Sequence, residues 1–323
     1  MIFAHFISAP QIEHQLHLRQ KLHQNITITT GERIPPATHV LIAGRLTRDD
    51  LIALPELKSV LIPFAGLPTE TGVLMRDFPQ VSIHNLHHNA VITAEMALAL
   101  LLAAARQLVP IDREFRKHDW TLRYQTVPTI ILDGKTALIV GYGEIGRHIG
   151  KVLGAMGMKI LGVRRSVQPD DDPEQVFPID RLQDVLPRAD VLIVCVPATP
   201  DTDNLIGETE LRLMPRGGLL VNVGRGAVIE QKALYEALKD GHLYGAGLDV
   251  WYSYPTDVES RKHTPPSEFP FHELANVVMS PHRGGAGGTD EVEYRRMDAI
   301  AESLNALVTD QTMPHRVNLD RGY

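Results

Sequence analysis

Short apolar runs alternate with helical periodicities along most of the chain. In the first ninety residues, helices are predicted at 11–23 and 47–54, between strands predicted at 2–7, 26–29, 39–43, 59–63 and 81–84. Apolar runs recur later, at T-A-L-I-V-G, K-I-L-G-V, D-V-L-I-V-C-V, G-L-L-V-N-V, G-A-G-L-D-V and N-V-V-M-S. Such continuous runs are typical of parallel strands that helices cover on both faces. Because 323 residues exceed one typical domain, the two series predict two α/β domains.

A long apolar helix separates the two series. Its sequence is A-V-I-T-A-E-M-A-L-A-L-L-L-A-A-A-R-Q-L, residues 90–108, which is apolar on nearly every side. Such a helix is predicted to be buried all round, between two domains or two subunits, and we therefore expect a homodimer. The longest apolar run, 96–105, has about half of the ~20 residues that a membrane span needs, so no membrane partner is expected. A final amphipathic helix is predicted at 290–307.

Composition narrows the classes of partner. The net charge is −7 and the pI is near 6.1, which argues against nucleic acid and anionic membranes as main partners. The N-terminal M-I-F-A-H-F-I-S lacks the basic segment and cleavage site of a signal peptide. The single cysteine, Cys195, lies inside a predicted buried strand and excludes a disulfide within the chain. A reducing, cytoplasmic location is therefore expected.

The strongest local motif is G-Y-G-E-I-G, residues 141–146, which ends a predicted strand and opens a predicted helix. In a dinucleotide-binding unit, Gly141 makes the tight turn, Gly143 lets the backbone approach the pyrophosphate, and Gly146 permits close helix–strand packing. Backbone N–H groups at the helix start, around Glu144 and Ile145, would face the phosphates. A glycine-rich turn in an unrelated α/β protein is the alternative, but the complete βαβ context favours a dinucleotide site.

The end of the next strand predicts which dinucleotide binds. NAD-binding sheets usually carry an acid here, which accepts a hydrogen bond from the ribose 2′-OH. This chain has Arg164, Arg165 and Ser166 instead. Adjacent guanidiniums attract a 2′-phosphate, so NADP(H) is predicted in preference to NAD(H). Two solvated surface arginines are the alternative interpretation.

Taken as a series, the motifs resemble one family. Five segments occur in the order typical of the D-isomer-specific 2-hydroxyacid dehydrogenases, and resemble its NADPH-dependent glyoxylate/hydroxypyruvate reductases: L-x-G-K-T-A-L-I-V-G-Y-G-E-I-G, A-D-V-L-I-V-C-V-P-A-T-P-D-T, L-L-V-N-V-G-R-G-A-V-I, G-H-L-x-G-A-G-L-D-V and S-P-H-R-G-G. The resemblance runs from about residue 89 to 288. It implies an α/β protein with two doubly wound parallel-sheet domains. These would be a flavodoxin-like substrate domain of residues 1–92 and 286–323, and an inserted Rossmann coenzyme domain of residues 93–285.

The resemblance also implies a reaction, the reduction of a 2-keto acid to a D-2-hydroxy acid by hydride transfer. Arg225 matches the arginine that clamps the substrate carboxylate, and His282 matches the general acid, a residue type that titrates in the right range. Asp249 looks like the residue that orients the nicotinamide carboxamide. Substrate contacts are implied at Phe64, Ala65, Gly66 and Asn89. Further cofactor contacts are implied at Val196, Pro197, Thr202, Val223 and Gly284.

One position departs from the family pattern. In most members a glutamate stands before a proline, just after L-D-V, and pairs with the catalytic histidine, whereas this chain has Tyr254. A glutamate raises the histidine pKa, while a neutral phenol orients the ring without charge. We therefore expect the rate of reduction to fall at a lower pH than in a Glu-bearing relative. Asp257, Glu259 and Glu268 are candidate replacements for the acid, and Tyr254 as a packing residue is the alternative.

Other interpretations receive less support. His84, His87 and His88 suggest a metal site, but no Cys or acid stands at ligand spacing, so no metal is expected. The acidic run at 169–173 predicts a solvated loop. A neutral partner for the histidine is compatible with a formate-type dehydrogenase. An NADP(H)-binding regulator without catalysis is the second alternative, although the presence of both Arg225 and His282 argues against it.

Overall fold

The computed structural model of the protein describes residues 1–169, 171–172, 174–285, 288–309, 311–320 and 322. The chain forms two compact units. The first unit combines Met1–Asn89 with the C-terminal segment beyond Gly285, and the second is Ala90–Gly285. Ala286 and Gly287, where the predicted second boundary falls, lie outside the described residues. The assignment of the units to substrate and coenzyme stays a prediction.

The elements are numbered in chain order. The strands are β1 Ile2–Phe6, β2 Ile26–Thr30, β3 Val40–Ile42, β4 Ser59–Ile62, β5 Ser82–Asn85, β6 Thr136–Val140, β7 Lys159–Arg164, β8 Val176–Pro178, β9 Val191–Val194, β10 Gly218–Asn222, β11 Leu243–Leu248 and β12 Val277–Met279. The α-helices are α1 Ile12–Lys21, α2 Arg48–Ile52, α3 Thr69–Met75, α4 Ala90–Ala105, α5 Leu108–Phe115, α6 Thr121–Tyr124, α7 Glu144–Ala155, α8 Leu182–Val185, α9 Glu208–Leu213, α10 Gln231–Lys239 and α11 Asp290–Ala306.

The first unit is built on a five-stranded sheet in the order β2-β1-β3-β4-β5, with every pair parallel. This is the flavodoxin-like order, in which the chain starts in the middle and reverses direction once. Helix α11 packs beside α1 and buries Met297, Ile300 and Leu304 in one apolar cluster with Leu18 and Phe6. The C-terminal helix therefore completes the core of a sheet made from the first ninety residues.

The second unit is built on a seven-stranded sheet in the order β12-β11-β10-β9-β6-β7-β8, again with every pair parallel. The chain reverses direction between β6 and β9, which gives the Rossmann order extended by one strand. Apolar clusters cover both faces of the sheet. The two doubly wound parallel sheets confirm the predicted fold class. Strand β8 was not predicted, since it is a three-residue edge strand that ends in a proline.

Helix α4 is only partly buried within this chain. Within this chain it buries one side, including Ala97, Leu100 and Leu101, and leaves Val91 and Leu102 37% and 40% exposed. Within the single chain α4 is therefore buried on one side only, and its burial against a second subunit stays a prediction. Among the described residues, no one helix is long and apolar enough to cross a membrane; α4 and α5 pass only as a pair, and they meet at 68°.

Candidate active site

The turn between β6 and α7 has the geometry that the glycine motif requires. Gly141 adopts a left-handed φ of +98°, and a Cβ there would lie 2.9 Å from the carbonyl carbon of Cys195. A Cβ on Gly146 would lie 2.5 Å from the oxygen of Gly141. Gly143 is exposed and has open space where a Cβ would stand. The three glycines therefore serve different purposes. Gly141 makes the turn, Gly146 allows the helix to pack closely, and Gly143 leaves room for a ligand to approach the backbone.

The start of α7 fits the pyrophosphate of a dinucleotide. No described side chain caps this helix, so the first backbone N–H groups, at Glu144 and Ile145, have no capping acceptor among the described residues. Glu144 is exposed, which leaves the helix start open. Free N–H groups and the helix dipole together favour an anion at this place. The residues present therefore fit the predicted cofactor group.

The loop after β9 forms the other side of this turn. Val196 packs its side chain against Gly141, and the Thr202 hydroxyl donates to the Pro197 oxygen at 2.7 Å, which closes the loop on itself. Cys195 follows directly after the strand, and burial of its thiol raises the pKa to about 12. A thiolate role for Cys195 therefore has no support, and the cytoplasmic location stays a prediction from its being the single cysteine.

The arginines at the end of β7 both have carboxylate partners. Arg164 donates to Asp171 at 3.0 Å, and Arg165 lies 3.3 Å from the exposed Asp201. Ser166 is exposed beside them. The prediction of a solvated acidic loop is wrong for Asp171, whose side chain is fully buried between Arg164 and Arg147. Asp170 and Pro173 of that run lie outside the described residues.

Arg225 stands on a turn that β10 positions closely. The buried Asn222 at the strand end accepts from the Gly224 N–H and donates to the Arg225 carbonyl, both at 3.0 Å. The flanking glycines are pressed against other backbone: a Cβ on Gly224 would lie 2.5 Å from the Val196 oxygen, and one on Gly226 would lie 2.2 Å from the Trp251 oxygen. The turn thus fixes the Arg225 backbone between two neighbouring strand ends.

Val223 lies between Asn222 and Gly224, and it buries its side chain in the apolar core of the second unit. Only its backbone is left for the predicted cofactor contact.

Asp249, directly after β11, holds the loop that carries His282. Its side chain is almost fully buried and receives three hydrogen bonds, from the Ser280 hydroxyl at 2.5 Å and from the backbone N–H groups of Arg283 and Gly284, each at 2.7 Å. A Cβ on Gly284 would lie 2.5 Å from the same carboxylate, so only glycine fits there. This anchoring role was not found from the sequence, and the predicted contact of Asp249 with the nicotinamide stays a prediction.

His282 itself adopts a left-handed φ of 57°. This conformation is uncommon for a residue with a side chain, although histidine is among the more tolerant types. The residue lies exposed at the surface. Partial desolvation of its ring lowers the pKa of His282 below the ordinary value, the charge of Arg225 lowers it further, and Asp249 acts in the opposite direction. The two predicted reaction residues are therefore close enough to interact electrostatically.

Tyr254 lies beside His282, as predicted, but not as a hydrogen-bond partner of the imidazole. The two ring centroids are 5.5 Å apart at an angle of 56°, and the Tyr254 hydroxyl accepts from the Trp251 N–H at 3.1 Å. Desolvation raises the pKa of Tyr254, so the phenol is neutral. Within the described residues, no side chain forms a hydrogen bond with the His282 ring.

The three candidate replacement acids do not act on His282. Asp257 caps its own turn at Ser260, and Glu268 accepts from Gln231. The charges that shift the pKa of His282 are those of Arg225 and Asp249, and neither belongs to the candidate set. Within the described part of the chain, the histidine therefore has no carboxylate as an ion-pair partner.

The predicted substrate loop of the first unit, Phe64 to Gly66, follows β4. The Phe64 ring lies over Gly44, and the Asn85 amide donates to the Ala65 oxygen at 2.6 Å. The backbone N–H groups of Ala65 and Gly66 form no hydrogen bond with another described residue. Asn89 has a buried side-chain oxygen without a partner among the described residues. Free donors in a braced loop are compatible with the predicted carboxylate contact, which stays a prediction.

Comparison with known proteins decides the family. The sequence model described as "D-isomer specific 2-hydroxyacid dehydrogenase, NAD binding domain" matches residues 98–284, more than half of the chain. The chain belongs to the D-isomer-specific 2-hydroxyacid dehydrogenase family. It is 37% identical over 252 residues to a glyoxylate reductase from Korarchaeum cryptofilum, a match that covers 77% of this chain and 70% of the relative.

Two further comparisons concern the whole chain. It is 32% identical over 298 residues to D-3-phosphoglycerate dehydrogenase from Mycobacterium leprae, which covers 90% of this chain but spans only about half of that relative, 52%. The fold is similar to a crystal structure of a D-isomer specific 2-hydroxyacid dehydrogenase from Xanthobacter autotrophicus in complex with NADPH and MES. That similarity has a TM-score of 0.79 at 23% identity and covers 99% of each chain.

The histidines that suggested a metal make other contacts in the structure. His84 bonds to the Pro314 oxygen, and His87 stacks on His315 with centroids 4.3 Å apart. Burial, followed by the charges of Arg296 and His87, lowers the pKa of His88 to about 4. Within the described residues, no three His, Cys, Asp or Glu side chains stand together as metal ligands.

Proposed function

We propose that the protein reduces a 2-keto acid to a D-2-hydroxy acid with a hydride from NADPH. The observation that carries the proposal is that Gly141, Arg225, Asp249 and His282 follow β6, β10, β11 and β12, all at the carboxyl edge of one parallel sheet. Ligands of open α/β sheets bind at this edge. Family membership and the similarity to a glyoxylate reductase support the same reaction class.

The residues have distinct roles in the proposed reaction. A bound nicotinamide would supply the hydride to the keto carbon. Arg225 would hold the substrate carboxylate through its planar pair of donors and polarise the carbonyl. His282, as imidazolium, would donate a proton to the alkoxide that forms. Asp249 would keep the His282 loop in place through its three hydrogen bonds.

The preference for NADPH over NADH is part of the proposal. No acid stands at the end of β7, where NAD-binding sheets carry one, and Arg164 and Arg165 stand there instead. The structural neighbour from Xanthobacter autotrophicus was crystallised with NADPH. A positive site at this strand end suits a 2′-phosphate better than a free ribose hydroxyl.

Steady-state assays test the proposal. Wild-type protein is assayed with NADPH and with NADH against glyoxylate, hydroxypyruvate, pyruvate and phenylpyruvate. We expect kcat/KM with NADPH to exceed that with NADH for at least one keto acid, and His282→Asn to lose about 10²–10⁴-fold in kcat. Asparagine tolerates a left-handed backbone, so this variant removes the acid without straining the loop. No turnover with any keto acid, together with tight NADPH binding, would favour a regulator.

A formate-type dehydrogenase is the second candidate. The observation that favours it is the neutral Tyr254 beside His282, because oxidation of formate needs no imidazolium as proton donor. Formate with NADP⁺ is therefore included in the assay. Formate oxidation without reduction of any keto acid would replace the first proposal with this one.

We also propose that the protein is a homodimer, formed through the second unit. Helix α5 has no buried residue, and Leu108 and Phe115 on it are 58% and 51% exposed. Trp120 and Tyr124 follow at 58% and 82%, and the exposed side of α4 precedes them. Several large exposed apolar side chains on consecutive segments are typical of subunit interfaces. Light scattering is expected to give a dimer for the wild type and a monomer for Leu108→Asp with Phe115→Asp.

A further inference from the structure

Three charged side chains from three different segments meet beside the dinucleotide turn. Asp171 accepts from Arg147 of α7 at 2.6 Å and from Arg164 at the end of β7 at 3.0 Å. The Gln168 N–H donates to the same carboxylate at 2.8 Å. The Asp171 side chain is fully buried, while Arg147 and Arg164 stay 41% and 22% exposed. The carboxylate therefore lies beneath two guanidiniums that still reach solvent.

Arg147 is held from a second side. Its guanidinium lies 5.6 Å from the centre of the Tyr142 ring, the residue between the first two glycines of the motif. That ring is wedged against β7, because a Cβ on Gly162 would lie 2.6 Å from it. The glycine at 162 thus makes room for Tyr142, and Tyr142 supports Arg147. The cluster of Arg147, Asp171 and Arg164 is therefore built onto the cofactor turn.

Asp171 does not substitute for the acid that NAD-binding sheets carry. Burial acts to raise its pKa, but the Gln168 N–H and the two guanidiniums outweigh burial and leave the pKa of Asp171 below the ordinary value. The carboxylate is ionised and its donors are all internal, so it has no free face for a ribose hydroxyl. With two cations and one anion, the cluster keeps a net positive charge.

We propose that Asp171 is a positioning residue for cofactor selection, which holds Arg164 and Arg147 in the orientation that receives a 2′-phosphate. The inference rests on the proposed use of NADPH. An arginine that is already fixed by a carboxylate loses less side-chain entropy when a phosphate binds to its remaining N–H groups. The unit that selects the phosphate is then three residues on three segments, not the pair at the strand end.

The test measures dissociation constants of NADPH and NADH by nucleotide fluorescence. Asp171→Asn is expected to raise the Kd of NADPH about tenfold, the effect of one disordered charge-assisted contact, and to leave the Kd of NADH unchanged. Asp172→Asn is the matched control: it removes the neighbouring charge, and among the described residues the exposed Asp172 carboxylate accepts only from Glu174 and Gln175. The control is expected to change neither constant.

The same substitution made in an Arg164→Leu variant shows whether Asp171 acts through Arg164. In Arg164→Leu, the Kd of NADPH is expected to rise, and adding Asp171→Asn is expected to raise it further by clearly less than the tenfold of Asp171→Asn alone, because only Arg147 is then left to be released. Full additivity of the two effects would overturn the inference. Should Asp171→Asn fail to fold, Asp171→Glu keeps the charge and moves it by one methylene. A several-fold rise in the NADPH constant supports the inference, and an unchanged constant overturns it.

The outcomes separate this inference from the cofactor proposal. Suppose that the wild type prefers NADPH and that Asp171→Asn retains or strengthens this preference. That result overturns the inference but not the cofactor proposal. An equal rise of both constants in Asp171→Asn also overturns it, because the loop then serves the whole site. A wild type that binds NADH more tightly than NADPH overturns the cofactor proposal, and the inference with it.

Discussion

Two buried carboxylates of the second unit, Asp249 and Asp171, hold two loops of opposite character. Asp249 receives a hydroxyl and two backbone N–H groups, so it fixes the course of the main chain at His282. Asp171 receives two guanidiniums and one backbone N–H, so it fixes side chains. The first arrangement is almost fully buried, whereas the second leaves its two arginine side chains partly exposed to a ligand. In the function proposed here, the reaction and the recognition of the cofactor would therefore depend on different kinds of anchor.

Asp249→Ala should have the largest effect. Three donors lose a buried acceptor, at about 1–3 kcal/mol for each group left unpaired, and the His282 loop shifts. Since a displacement of about 1 Å costs on the order of 100-fold in rate, we expect kcat to fall at least 100-fold with either cofactor. Steady-state kinetics with NADPH and NADH measure it. In Asp171→Asn, by contrast, kcat at saturating NADPH should stay within about twofold. Equal losses of kcat in the two variants would refute the distinction between the anchors.

Gly284→Ala tests the Asp249 anchor from the other side. The added Cβ would lie 2.5 Å from the Asp249 carboxylate and force one of the two to move. We expect kcat to fall about 10- to 30-fold, less than in Asp249→Ala because the hydrogen bonds partly survive. Gly154→Ala, inside α7, is the matched control, since its Cβ would make only an ordinary 3.8 Å contact with Ile160 of β7. Normal kcat in Gly284→Ala would show that the loop has more room than the structure gives it.

The pH dependence of kcat/KM tests how Tyr254 influences His282. Reduction needs the imidazolium, so kcat/KM is high below the histidine pKa and falls as the pH rises through it. Because desolvation and Arg225 lower the pKa of His282, the basic limb should lie below about 6.5 in the wild type. Tyr254→Glu should move the limb up by about 1 pH unit through the added negative charge. The same limb in both proteins would mean that position 254 does not influence the acid.

Tyr254→Phe should have a smaller effect. It keeps the ring beside His282 and removes only the hydroxyl that accepts from the Trp251 N–H. We expect an unchanged pH limb and a loss of about 1 kcal/mol in the free energy of unfolding, measured by urea titration. A shifted limb in this variant would assign the hydroxyl a direct role at the histidine.

Acid stability gives the smallest expected difference. The pKa of Asp171 is lower in the folded protein than the value of about 3.9 for a free aspartate, so its ion pairs stabilise the fold above that pH. This contribution is lost as the pH falls through the folded pKa. The difference in Tm between wild type and Asp171→Asn should therefore shrink between pH 6 and pH 3. If the difference in Tm stays constant over this pH range, the charge of Asp171 is not what stabilises the fold.

Much of the fold follows from local pattern, because strands covered on both faces must be continuously apolar. Every strand of the second unit except β8 was predicted, and so was the helix that the glycine motif opens. Helix α3 was missed, since its sequence T-E-T-G-V-L-M contains a glycine and too few apolar positions for a clear period. Strand β8 pairs on one side only and is too short to give a pattern.

The site was predictable where motif and strand end coincide, and not where a partner comes from elsewhere. Arg225, Asp249 and His282 follow predicted strands, so their common edge could be expected. The contact between Arg164 and Asp171 was not, because an acid seven residues further on in an acidic run gives no sign of burial. The orientation of the Tyr254 hydroxyl toward Trp251 also depends on loop geometry that one sequence does not encode locally.

The placement of α11 has a consequence for synthesis on the ribosome. The helix buries Met297, Ile300 and Leu304 against strands that end at Asn85, and roughly 200 residues are translated between them. At a translation rate of about 5–20 residues per second, about 10–40 s pass between the synthesis of the first sheet and that of α11, while the whole second unit is synthesised. A nascent chain in that interval exposes one apolar face of a parallel sheet. Chains stalled before residue 290 should therefore be preferred clients of chaperones that bind apolar surface.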